Sequence, residues 1–100
     1  DIPMLPMKKP VFFPADPNAF NPLGLIREYK PGTKNGALIQ WSNPVNNQIV
    51  FEWHENSKKS NGPHYHISDL DRGLPNKLHH HFYSGYLVPE PYATIYFPWE

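Results

Sequence analysis

Thirteen prolines and six glycines are spread through these 100 residues, so few windows are long enough to carry a helix of several turns. Proline inside a helix removes a hydrogen-bond donor and clashes with the preceding turn, and it pushes the residue before it toward extended backbone. Aromatic residues, which favour pleated surfaces, make up 15% of the chain. The expected fold is therefore α+β and β-dominated: a small twisted antiparallel sheet, an extended proline-rich N-terminal arm, and at most one or two short helices.

One hundred residues suffice for one domain with a single core. Residues 1–22 hold Pro3, Pro6, Pro10, Pro14, Pro17 and Pro22, interleaved with Met4, Leu5, Met7, Val11, Phe12, Phe13 and Phe20. That is too apolar for a solvated linker, so an arm packed across the domain is expected there, followed by a β-rich catalytic domain over 23–100. Leu23 to Tyr29 reads as one short helix ended by the turn Lys30-Pro31-Gly32. The runs Ala37-Leu38-Ile39-Gln40-Trp41 and Gln48-Ile49-Val50-Phe51-Glu52-Trp53-His54 flank the turn formers Ser42 to Asn47, which predicts a β-hairpin. Side chains alternate along a strand. Ile49, Phe51 and Trp53 are then expected in the core, while Gln48, Val50, Glu52 and His54 face away from it.

After the polar loop Glu55 to Pro63 the chain re-enters as His64-Tyr65-His66-Ile67, again alternating. His64 and His66 share a face, roughly 6.5–7 Å apart along the strand. Pairing of this segment with 48–54 brings Glu52, His54, His64 and His66 onto one surface. Residues 68–77 are turn-rich, with Asp69 and Asp71 expected to cap turns. His79-His80-His81 reads as a polar loop edge from which at most one or two imidazoles reach the site. Phe82 to Tyr86 reads as a turn, Val88-Pro89-Glu90-Pro91-Tyr92 as extended, and Ala93 to Phe97 as the last strand.

The six histidines, five of them between positions 64 and 81, are the chemical signal. Histidine titrates nearest neutrality and exchanges protons or binds metals at little cost. There is no cysteine, hence neither disulfide framework nor thiolate site. Nine basic and nine acidic residues cancel, which argues against coating nucleic acid through bulk charge. No apolar run approaches the ~20 residues that span a bilayer. The opening Asp1-Ile2-Pro3 has neither an initiator methionine nor a signal-peptide pattern, and reads as a piece of a longer polypeptide or a processed chain.

Two chemistries suit a His-x-His pair beside a carboxylate. One imidazole takes a proton from a nucleophile while another group protonates the leaving group, as RNA cleavage through its 2′-hydroxyl requires. Glu52 orients or charges one of these histidines, favouring its imidazolium. Lys34, Lys58 and Lys59 are candidates for stabilising the phosphate, and Tyr86 for stacking on a base. Alternatively the pair forms a metal site with Glu52, Asp69 or one of His79–His81. A cupin-like variant uses Asp69 or Asp71 in place of glutamate. A histidine-triad arrangement fails because position 68 is Ser. The same histidines also read as surface or hydrogen-bonded structural groups, and a third alternative is a non-enzymatic binding module whose aromatic and proline-rich surface docks a protein partner.

The residues Lys34-Asn35-Gly36, Trp41, Phe51-Glu52-Trp53, Gly62-Pro63-His64-Tyr65-His66, Gly85 and Val88-Pro89-Glu90-Pro91-Tyr92 give a pattern over residues 34–97 that resembles the C-terminal toxin domains of bacterial polymorphic toxins, of the contact-dependent inhibition and Rhs types. The strand followed by Glu-Trp is also faintly similar to ribonuclease colicins, from which this chain departs by being less rich in basic residues and by His54 in place of an aspartate. The resemblance implies a secreted effector, or one delivered into the cytoplasm of a target bacterium, that cleaves tRNA or rRNA and is neutralised by an immunity protein. Expected on that basis is a monomeric, metal-independent endoribonuclease with no cofactor. Its catalytic groups would be His64, His66, Glu52 and His54; carry-over is strongest for Glu52, His64 and His66.

Overall fold

A computed structural model describes residues 10–33, 36–56 and 62–98. Four strands, β1 (Ile26–Thr33), β2 (Gly36–Ser42), β3 (Ile49–His54) and β4 (His64–Ile67), form one antiparallel sheet in sequential order. Two short helices follow, α1 (Ser68–Asp71) and α2 (Glu90–Tyr96), and single 3-10 turns occupy Pro17–Ala19 and Asn76–Leu78. The fold is thus a β-dominated α+β domain.

The hairpin β2–β3 forms around Asx turns. Asn43 Oδ1 accepts the Val45 N–H and Asn46 Oδ1 accepts the Gln48 N–H, each at 2.9 Å, and Asn47 takes the left-handed conformation asparagine tolerates (φ 60°). Trp41 pairs with Phe51 but Ser42 pairs with Ile49, so Val50 is an extra residue in β3. This bulge overturns the alternation expected for the strand's start. Val50 joins the core, and Ile49 sits half-buried beside Gln40 and Ser42 on the opposite face.

Two further expectations are corrected. Ile26 to Tyr29 belongs to β1 rather than to a helix, pairing Ile26 with Ser42 and Tyr29 with Ile39. Pro31 is accommodated because β1 is an edge strand and its register shifts between Lys30 and Thr33. At the C-terminus, residues 90–96 are helical where extended backbone and a strand were expected. Pro91 lies in the first turn, where its missing N–H costs nothing. Tyr92, Ala93, Tyr96 and Phe97, spaced for one helix face, pack on the core while Thr94 and Ile95 stay exposed.

The core lies on one side of the sheet. Ile39, Trp41, Phe51, Trp53, Tyr65 and Ile67 project from β2, β3 and β4, all at most 8% exposed. Over them lie Phe13 and Phe20, from the proline-rich segment that precedes β1. Phe20 meets Trp41 and Phe51 edge-on, with ring centroids 5.1 Å apart in both cases. Each such burial contributes about 1.5–3 kcal/mol. The Tyr65 hydroxyl donates to the Pro14 carbonyl at 2.7 Å, and Phe13 and Val88 N–H groups donate to Tyr86 and Val11 across an Phe12–Leu87 bridge. Residues 10–22 are therefore packed; residues 1–9 lie outside the described residues. With the apolar face covered, the other face of β3 and β4 is left for polar groups.

Candidate functional site

Antiparallel register sets Glu52 opposite His66 and His54 opposite His64. Since Trp53 and Tyr65 point into the core, these four neighbours share the other face. The imidazole centroids of His54 and His64 lie 5.3 Å apart and stacked, those of His54 and His66 4.9 Å apart, and those of His64 and His66 4.8 Å apart. Gln40, opposite Glu52 on β2, donates its side-chain N–H to Glu52 Oε2 at 2.9 Å. The same oxygen stands 4.0 Å from His54 Nε2.

A fourth imidazole comes from the segment after α1. Tyr65 and Phe82 exchange two backbone hydrogen bonds of 2.7 and 3.0 Å across the outer edge of β4. Phe82 thereby turns to the core, 5.2 Å from Phe13, and its neighbour His81 turns to the opposite face. The His81 ring lies 4.7 Å from His64 and 4.9 Å from His66. Tyr83 stacks on His81 at 6.4 Å, and Tyr86, half exposed, contacts Tyr83 at 5.5 Å. Tyr86 therefore stands at the rim, one ring removed from the histidines.

Asp71 is the group that sequence reasoning undervalued. Helix α1 starts directly after β4, and its single turn carries Asp71 back beneath His66. The carboxylate is 7% exposed and accepts from His66 Nδ1 at 3.1 Å, from the His80 N–H at 2.8 Å and from His80 Nδ1 at 2.9 Å. His79 donates Nε2–H to the Leu74 carbonyl at 2.9 Å, with Nδ1 3.9 Å from Asp71. All three members of the 79–81 run thus reach the site, more than expected. Asp71 is an organiser of histidines and not a turn cap. Asp69 is solvent-exposed and pairs with Arg72 at 2.8 Å. The only advance signal for Asp71 was its polarity so soon after the His-x-His strand.

Burial dominates the electrostatics. It pushes the His66 pKa down to about 4, against the hydrogen bond to Asp71 and with help from His54, His64 and His81. Burial also lowers His64, opposed by its hydrogen bond to the Gly62 carbonyl and reinforced by His81 and His54. For His54 burial outweighs the attraction of Glu52, so the imidazolium expected beside that carboxylate is not favoured. Burial alone would raise Asp71, but hydrogen bonds from His80 and His66 hold it below its ordinary value, and it stays ionised. The acceptors fix tautomers: Nδ1–H of His64 donates to Gly62 O at 2.8 Å and that of His66 donates to Asp71, so Nε2 bears the lone pair in both neutral rings.

Beside the cluster opens a cavity of about 380 Å³ whose walls include Glu52, His54, His66, Asp71, Arg72 and His79. Lys34, Lys58 and Lys59, the cations expected to face a phosphate, lie outside the described residues. Among the described lining residues Arg72 carries the fixed positive charge. No described helix is long and apolar enough to cross a membrane. No family model matches the chain, and neither a curated protein nor a solved structure matches it.

Proposed function

We propose that this domain is an endoribonuclease that cleaves by histidine acid–base catalysis. The observation that carries the reading is the Asp71–His66 pair, with His54 and Glu52 beside it, at the wall of an open cavity. His66 Nε2, with its lone pair fixed by the bond from Nδ1–H to Asp71, takes the proton of the ribose 2′-hydroxyl. Asp71 stabilises the imidazolium that forms, the role an aspartate plays behind a catalytic histidine. The 2′-oxygen attacks phosphorus, the P–O5′ bond breaks, and the departing oxygen takes a proton from His54. His54 is suited to that task in the complex, because Glu52 and a bound phosphate both favour its protonated form. His64, stacked on His54 and packed against His66, braces the two rings, which touch each other directly, and Arg72 supplies positive charge to the phosphate.

The resemblance to polymorphic toxin domains supports RNA as the substrate, an immunity protein as partner, and delivery into a target bacterium as the setting. The test is cleavage of end-labelled RNA by the purified chain in excess chelator. Products should carry 2′,3′-cyclic phosphate and 5′-hydroxyl ends, and His66→Ala should lower the rate at least about a hundredfold. Equal cleavage of a substrate lacking the 2′-hydroxyl, or unchanged rates in both His64→Ala and His66→Ala, would overturn the reading.

A further inference from the structure

We infer that His64, His66 and His81 together capture one zinc-class divalent ion. One ring nitrogen from each lies within 4.8 Å of those of the other two. At Zn–N bonds of about 2.0–2.1 Å, nitrogens around a tetrahedral ion stand roughly 3.3 Å apart, so closure by at most about 1.5 Å completes the site. Small rotations about the side-chain torsions deliver that. An all-imidazole donor set selects zinc, copper or nickel over magnesium or calcium.

The surroundings of the rings favour this set. Histidine ligands characteristically donate the other ring N–H to a carbonyl or carboxylate, which sets the tautomer and aims the lone pair. His64 does so to Gly62 O at 2.8 Å and His66 to Asp71 at 3.1 Å. His81 is held beside them by the backbone bridge at Phe82. A second triplet, His66, Asp71 and His79, is equally compact. There, however, an ion would compete with the hydrogen bonds Asp71 accepts from His80 and would break the one that orients His66. His79 itself meets the same criterion, donating Nε2–H to the Leu74 carbonyl, so it is the commitments of Asp71 that decide against this triplet.

A lone pair that binds an ion cannot take a proton, so occupancy silences RNA cleavage; this second step rests on the acid–base reading, whereas capture does not. The full chain, stripped of metal, is titrated with Zn²⁺ alone by calorimetry. One equivalent should bind, and His81→Gln should weaken binding at least about a hundredfold, while His79→Gln leaves it unchanged. Long-range ¹H–¹⁵N imidazole spectra of the unmutated chain should show coordination shifts at His64, His66 and His81, which keeps the test independent of any variant's folding. Absence of stoichiometric binding, or binding insensitive to His81→Gln, overturns capture. With zinc bound, loss of RNA cleavage supports silencing and unchanged cleavage overturns it. Acceleration by zinc overturns both silencing and the metal-free reading but upholds capture. A metal-free chain that cleaves no RNA sinks the acid–base reading while the titration still decides capture.

Discussion

Replacing Asp71 by alanine removes one acceptor shared by three donors. Two of these, the His80 N–H and His66 Nδ1, come from part-buried groups, at 2.8 and 3.1 Å. The third, His80 Nδ1, belongs to a ring 53% exposed that rehydrates on loss of its partner, and is discounted. A hydrogen bond to a charged group contributes about 1.5–3 kcal/mol, and a buried donor left unmade costs about 1–3 kcal/mol. Two such bonds give roughly 3–6 kcal/mol, from which relief of the desolvation of a carboxylate 7% exposed must be subtracted. The expected net loss is about 2–4 kcal/mol for Asp71→Ala and about half that for Asp71→Asn, which keeps an acceptor oxygen. In a domain of this size the alanine variant should melt roughly 10–25 °C lower. Equilibrium urea unfolding with chelator present, followed by tryptophan fluorescence, measures this. A loss below about 0.5 kcal/mol at unchanged denaturant slope would show that Asp71 does not hold α1 and the 79–81 segment against the sheet.

Phe20→Ala should cost about 3–5 kcal/mol, because the ring touches Phe13, Trp41, Phe51, Tyr65 and Phe97. A small effect in the same unfolding assay would mean that the proline-rich segment does not cover the core. Acid should weaken the metal-free fold before carboxylates matter. The His66 pKa falls from 6.5 to about 4 on folding, so the unfolded chain binds the extra proton. Stability is then complete above pH 6.5 and declines as pH falls through 4, by on the order of 3 kcal/mol. His64 and His54 shift in the same direction and steepen the decline. An unfolding midpoint that stays flat from pH 7 to pH 4.5 would contradict the burial of these rings as neutral groups.

Much of the site could be read from local periodicity. Glu52 with His54, and His64 with His66, share faces because a strand repeats every two residues, and their apolar neighbours Trp53, Tyr65 and Ile67 declare which face is buried. The same rule failed at Ile49, since a single bulged residue reverses the face of everything before it. It failed at 93–97 too, where five residues fit a period of two or 3.6 equally well. Residues 26–29 posed the same ambiguity, which pairing with β2 resolved in favour of a strand.

The chain's own order of residues was enough to determine a β-dominated domain and a face carrying one carboxylate and three imidazoles, because proline placement and strand alternation act over a few residues. Tertiary structure alone decided that Asp71 would gather His66 and His80, and that His81 would complete the cluster. Those contacts depend on the path of the loop after β4 and on the Tyr65–Phe82 bridge, 17 residues apart in sequence. Such a path is set by the packing of Phe82 and α2 on a shared core, and no short stretch of residues encodes it.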